Sequence, residues 1–129
     1  MLHELYFASL GGDGRAVPET MAEALARDFG SVKAWRQQFM ALAGELGSGS
    51  GWVLLTWSHR DHCLVNQWAA DHSMTLAGGT PILALDMYEH AYAMDYGAKA
   101  GAYVDAFMGA VNWASADKRL ARAVASDQP

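Results

Sequence analysis

The sequence predicts an α+β fold in which helices pack on a small three-stranded antiparallel sheet. Apolar residues recur at helical spacing up to about residue 46 and again from residue 92, whereas the middle of the chain holds runs rich in β-branched and aromatic residues. The composition, 52% hydrophobic and 18% charged, is that of a chain with a packed core and not of a disordered one. One domain is therefore expected.

Three helices are predicted before the sheet. Residues 1–10 have the apolar spacing of the end of a helix. Pro18 is favourable at the start of a second helix, and Gly30 is favourable just after its end. Ser31 is a good N-cap for a third helix, which is expected to run through Leu46.

The glycine-rich segment 47–51 predicts a flexible break before the sheet. Residues 52–57 and 63–68 are expected to form a hairpin around a polar turn, and residues 81–85 a third strand. The order of helices, sheet and helices is that of an α+β domain.

Helical spacing returns after the sheet. Apolar residues from Tyr92 to Val111 predict one helix, which the pair Asn112-Trp113 is expected to close. A last helix is expected to cover roughly Ser115 to Ala125.

Charge and cysteine content exclude several classes of protein. The net charge of −5 argues against non-specific nucleic-acid binding, which needs a basic surface. No apolar run reaches about 18 residues, so no membrane span is predicted. The single cysteine, Cys63, cannot form an internal disulfide, and no signal peptide is apparent at the start. We therefore expect a cytoplasmic protein with neither a nucleic-acid nor a membrane partner.

The segment after the third predicted strand carries the strongest indication of chemistry. Asp86 stands where the apolar run ends, and His90 follows four residues later. If a helix begins there, both side chains lie on one face and can bind one ion, with Mn, Fe or Zn suited to an oxygen and a nitrogen ligand. An Asp and a His at this spacing are, however, more often a surface pair or a helix cap. His59 and His62 flank the predicted turn and are expected to be solvent-exposed, with no further ligand to mark a site.

Four motifs in order resemble the iron/manganese superoxide dismutase family. DMYEHAYAMDY at 86–96 is similar to the DVWEHAY signature of the family, and GSGWVLL at 49–55 is similar to its GSGW strand. HELYFASL at 3–10 resembles its NH-x-x-F-[FYW]-x-S-L helix, and AVNW at 110–113 matches its usual VNW. No single motif is decisive, but the common order and spacing are specific.

The resemblance implies a Mn or Fe ion that alternates between +3 and +2 and converts superoxide to dioxygen and hydrogen peroxide. It implies that His3, Asp86 and His90 are metal ligands. Gln67 and Tyr88 would be catalytic, with Gln67 hydrogen-bonded to a water on the metal and Tyr88 in place of the tryptophan of the signature.

Two further roles follow from the same resemblance. Trp52 would wall the metal pocket. Glu89 would reach across a homodimer, or a higher oligomer, and bond the ligand histidine of the partner's site, which fixes the orientation of an imidazole.

The resemblance also predicts how the chain is divided. Residues 1–10 would be a remnant of an N-terminal helical hairpin, and residues 11–129 would be the α+β C-terminal domain. A fourth ligand, a histidine on the first helix of that hairpin, would fall before Met1. Three hypotheses result: a superoxide dismutase impaired by a missing first ligand, a non-catalytic binding or structural module with a degenerate site, and a protein whose site is completed by residues upstream.

Overall fold

The computed structural model describes residues 2–12, 17–45, 51–70, 78–87 and 100–127. Within these ranges five helices accompany one three-stranded sheet, which confirms the predicted α+β class. The elements are α1 (Leu2–Ala8), α2 (Glu19–Phe29), α3 (Val32–Glu45), β1 (Trp52–Ser58), β2 (Cys63–Ala69), β3 (Gly79–Asp86), α4 (Ala100–Gly109) and α5 (Trp113–Ser126).

The ends of α2 and α3 follow the residues that predicted them. Pro18 precedes the first residue of α2, and Gly30 follows its last residue with a φ of 95°, a conformation that glycine adopts without strain. The Ser31 hydroxyl accepts a hydrogen bond of 2.9 Å from the amide of Ala34, which caps the start of α3.

The boundary between the last two helices differs from the prediction. Asn112 does not close the preceding helix: its Oδ1 accepts from the amide of Ser115 at 3.1 Å, so it caps α5. The helix therefore starts at Trp113, two residues earlier than expected, because an asparagine at this position satisfies a free N–H of the first turn. Residues 47–50 of the glycine-rich break, and the part of the predicted helix before residue 100, lie outside the described residues.

The strand order is β2-β1-β3, with both pairs antiparallel. All seven residues of β1 are buried, because helices cover both faces of this central strand. One face packs against α1 around Trp52 and Leu54. The other face, which includes Val53 and Leu55, packs against α2 to α5 and holds the larger core.

Pairing shifts by one residue between β1 and β3. Leu55 lies opposite Leu83 and Thr56 lies opposite Pro81, so Ile82 is an extra residue. Proline is tolerated here because β3 is an edge strand and the bulge interrupts the ladder. The carbonyl of Ile82 accepts a hydrogen bond of 2.8 Å from Nε of Arg119, which ties α5 to the bulge.

The end of α1 is fixed by the fully buried residue Ser9. The amide of Ala84 in β3 donates to the Ser9 hydroxyl at 3.3 Å, and the amide of Asn112 donates to the Ser9 carbonyl at 2.7 Å. Gly12 then donates to the carbonyl of Ala110 at 3.0 Å. Helix α1 is thus held to both β3 and the α4–α5 junction. In the ranges described, none of the helices combines the length and apolarity that crossing a membrane requires.

Candidate metal centre

Three of the predicted site residues, Trp52, Gln67 and Asp86, share one face of the sheet. Trp52 lies directly opposite Asp86, while Gln67 lies opposite Leu54, two residues along the same strand. Opposite residues of an antiparallel pair, and residues two apart on one strand, project to the same side. This is the face that packs against α1.

Asp86 is the last residue of β3 and is only 2% exposed. Burying a carboxylate is costly unless it is paired or binds a metal, so its place at the end of a strand suits a ligand. The backbone carbonyl of Asp86 accepts a hydrogen bond of 2.7 Å from the Tyr103 hydroxyl. The strand end that carries this carboxylate is therefore anchored to α4.

Gln67 is oriented by a neighbouring strand. The Thr56 hydroxyl donates a hydrogen bond of 2.9 Å to Oε1 of Gln67. Because this bond fixes the position of the oxygen, it also fixes the orientation of the amide nitrogen, which is the donor of the side chain. The adjacent Asn66 faces the other side of the sheet, where its Oδ1 accepts from Nε1 of Trp35 at 2.9 Å.

Trp52 is 1% exposed and packs with Leu2, Leu54, Ala69 and Ala84. It sits on β1 between the strands that carry Gln67 and Asp86. Gln67 and Asp86 are separated by two interstrand spacings and by two residues along the strand direction, which places their backbones roughly 12 Å apart. Two side chains and a small ion can span that distance.

The remaining predicted ligands are only partly covered. His3 lies in α1, one turn before Tyr6. The side chain of His3, together with Tyr88, Glu89 and His90, lies outside the described part of the chain. Among the described side chains no three His, Cys, Asp or Glu residues are gathered to hold a metal, so the ligand set of His3, Asp86 and His90 stays a prediction.

Sequence reasoning missed two residues that hold this face together. Thr56 could have been found, because strand alternation places it on the same face as Gln67. Tyr103 gave no such signal: it lies 17 residues beyond Asp86 in a helix whose apolar spacing indicated only core packing.

A second cluster lies around Asp127, just beyond α5. The indole Nε1 of Trp57 donates to Oδ2 of Asp127 at 2.7 Å, and Nδ1 of His59 contacts Oδ1. The hydrogen bond from Trp57, followed by the one from His59, lowers the pKa of Asp127. The expectation that His59 is solvent-exposed is wrong, because its ring is 26% exposed and also bonds Thr80, whereas His62 is 64% exposed. This cluster ties the end of α5 to the β1–β2 hairpin.

Fold and site together define an α+β domain that carries a buried carboxylate and an oriented amide on one sheet face. The sequence model of the family described as iron/manganese superoxide dismutases, C-terminal domain, matches residues 17–119. The chain belongs to this family.

The chain is similar to superoxide dismutases named for iron and to others named for manganese. Superoxide dismutase (Fe) of Cupriavidus metallidurans is 62% identical over 124 residues, which cover 96% of this chain and 62% of that protein. Superoxide dismutase (Mn) 2 of Haloferax volcanii is 40% identical over 126 residues, which cover 96% and 62%. Superoxide dismutase (Mn) 1 of Haloferax mediterranei is 38% identical over 108 residues, which cover 82% and 73%.

The chain thus spans 62% of the length of the first two of these relatives. The names of the relatives do not favour the alternative of a non-catalytic module.

Proposed function

We propose that this protein is a superoxide dismutase that converts superoxide to dioxygen and hydrogen peroxide with a Mn or Fe ion. One observation carries the proposal: the buried carboxylate of Asp86 shares a sheet face with the oriented amide of Gln67. Membership of the dismutase family and relatives named for either metal support it.

The described residues fit such an ion. A buried carboxylate at a strand end provides a hard oxygen donor, which suits Mn and Fe better than a soft metal. Asp86 would hold the ion together with His3 and His90, and two histidines with one carboxylate leave coordination positions open for substrate. Glu89 would orient a ligand imidazole of the partner subunit in a dimer.

The ion, when bound, supplies one-electron chemistry between its +3 and +2 states, with one superoxide oxidised and the next reduced. The protein's own residues would position the ion and its surroundings. Gln67, held by Thr56, offers an amide donor on the sheet face that carries Asp86. Trp52 and its apolar neighbours exclude water from the floor of the site, which strengthens each polar interaction there. Tyr88 would lie beside the ligands as a second polar group.

The test is metal content and superoxide consumption of the purified chain. Asp86→Ala should lose bound Mn and Fe together with activity. Asp105→Ala, which removes an exposed carboxylate of α4, should retain both. Elemental analysis and a superoxide-consumption assay measure the two quantities. Equal metal content in the wild type and Asp86→Ala would refute a site at Asp86.

We also propose a homodimer or higher oligomer in the cytoplasm. Phe7 is 69% exposed and Trp68 is 44% exposed, and exposed aromatic residues are typical of contact surfaces. The lone Cys63, which has no partner in this sequence, suits a reducing compartment. Analytical ultracentrifugation should show association that Phe7→Ser weakens, and a monomeric wild type at micromolar concentration would contradict it.

A further inference from the structure

We propose that Tyr103 is a positioning residue, which holds the candidate ligand Asp86 and helix α1 at a fixed separation. This inference rests on the proposed function, because it assigns Tyr103 a role towards the same metal.

Two hydrogen bonds meet at the Tyr103 hydroxyl. Its oxygen lies 2.7 Å from the backbone carbonyl oxygen of Asp86 and 2.9 Å from the hydroxyl oxygen of Tyr6. Tyr103 is 4% exposed. Its bond to Asp86 is buried, where a hydrogen bond is stronger than in water, and its bond to Tyr6 is partly buried.

The direction of these bonds follows from the number of protons. A tyrosine hydroxyl has one proton to donate, and a carbonyl oxygen can only accept. The proton of Tyr103 therefore goes to Asp86, and Tyr6 donates its own proton to the Tyr103 oxygen. The result is a directed series of two hydrogen bonds from α1 through α4 to the end of β3.

These hydrogen bonds join α4 to two parts of the molecule that carry predicted ligands, α1 and the end of β3. Tyr6 lies one turn after His3 in α1, and Asp86 ends β3. Tyr103 lies in α4, 13 residues after His90 in the sequence.

Ring packing keeps the hydroxyl groups in place. The Tyr6 ring stacks on Phe107 of α4, with centroids 6.1 Å apart and planes 9° apart. Phe107 is one turn after Tyr103 in α4. The helix therefore contacts the ring of Tyr6 through Phe107 and accepts the hydrogen bond from its hydroxyl through Tyr103. Removal of one hydroxyl should therefore leave the packing intact and affect mainly the position of the strand end.

The test compares three variants of the full chain. Tyr103→Phe removes the central hydroxyl, and Tyr6→Phe removes only the outer bond. Trp57→Phe serves as a control for lost stability, because it removes a partly buried hydrogen bond at the far end of β1, about 17 Å along the strand from the residue pair Trp52–Asp86.

Binding of Mn(II), and of Fe(II) without oxygen, is measured by competition with a chelator. The ¹³C shift of the Asp86 carbonyl in the metal-free chain reports the hydrogen bond itself. Tyr103→Phe should move this resonance and raise the Kd of Mn(II) about 10-fold, the usual effect of losing a group that orients a ligand. Tyr6→Phe should have a smaller effect in the same direction, and Trp57→Phe should lower the melting temperature without either change.

The outcomes separate the two proposals. Wild type and Tyr103→Phe with the same Kd would overturn the role of Tyr103 while leaving the metal site standing. A Kd raised equally in Trp57→Phe would also overturn it, because the effect would then follow general stability. Wild type that binds neither ion would overturn the proposed function and this inference together, even if the Asp86 resonance moved as expected.

Discussion

The Thr56 hydroxyl donates a hydrogen bond of 2.9 Å to Oε1 of Gln67, two residues along the neighbouring strand from its direct partner. Thr56 is fully buried, whereas Gln67 is half-buried. The bond fixes the orientation of the Gln67 amide, whose nitrogen is the donor, and it places Thr56 among the residues that prepare the candidate site.

Thr56→Val should test this contact, since valine keeps the shape of threonine and removes the hydroxyl. We expect a loss of about 0.5–1.5 kcal/mol in the free energy of unfolding, because a half-buried acceptor loses its donor. Superoxide consumption per bound metal should fall about 10-fold, as is usual when a group that orients site residues is lost. Thr20→Val removes an exposed bond to Asp117 and should change neither quantity. Unchanged turnover in Thr56→Val would refute the orienting role.

Gly12 should tolerate no side chain. A Cβ there would lie 2.7 Å from Cα of Asn112, in a backbone segment that cannot shift freely. Gly12→Ala should lower the free energy of unfolding by about 1–3 kcal/mol, as overpacking does. Gly44→Ala is the matched control: nothing lies within 4 Å of a Cβ there, and alanine should stabilise α3 by up to about 1 kcal/mol. Urea unfolding measures the change in the free energy of unfolding for both variants. Changes of the same sign would contradict the packing argument.

Acid should weaken the attachment of α5 to the hairpin. The hydrogen bond from Trp57, with that from His59, holds the pKa of Asp127 below its ordinary value. A lowered pKa means that the ionised group stabilises the fold above the unfolded pKa, and that this contribution disappears as the pH falls through the folded pKa. The stability difference between wild type and Asp127→Asn should therefore shrink between roughly pH 5 and pH 2.

The control for this titration is Asp105→Asn, which alters an exposed carboxylate of α4. The change in stability difference for Asp127→Asn should exceed any change for Asp105→Asn over the same range. Thermal unfolding followed at several pH values measures both differences. A constant difference for Asp127→Asn would be evidence against the attachment of α5 to the hairpin through Asp127.

Cys63 should react slowly with alkylating reagents. Burial raises the pKa of its thiol, and the nearby carboxylates of Asp28 and Asp61 raise it further. The reactive thiolate is therefore scarcer at pH 8 than in an unfolded chain. Iodoacetamide should modify the native protein more slowly than the protein in urea, as followed by mass spectrometry. Equal rates would indicate that the thiol is not shielded.

Local features of the sequence determined most of the secondary structure. Pro18, Gly30 and Ser31 act on the backbone within one turn, so the helix boundaries near them could be predicted. The three strands were predicted because β-rich runs between polar turns indicate a sheet. Asn112 was misassigned, because an asparagine can follow one helix or cap the next, and its neighbours in the fold decide between the two.

The sequence by itself also determined the family, because the order of the motifs along the chain can be recognised without a structure. It also singled out Asp86 and Gln67. Only the tertiary structure decided which residues support them. Thr56 holds Gln67 across a strand pair, Tyr103 reaches back 17 residues to Asp86, and Trp57 meets Asp127 over 70 residues. Such contacts leave no periodic trace along the chain, because they depend on how the strand register, the bulge at Ile82 and the packing of α4 and α5 bring distant side chains to one place.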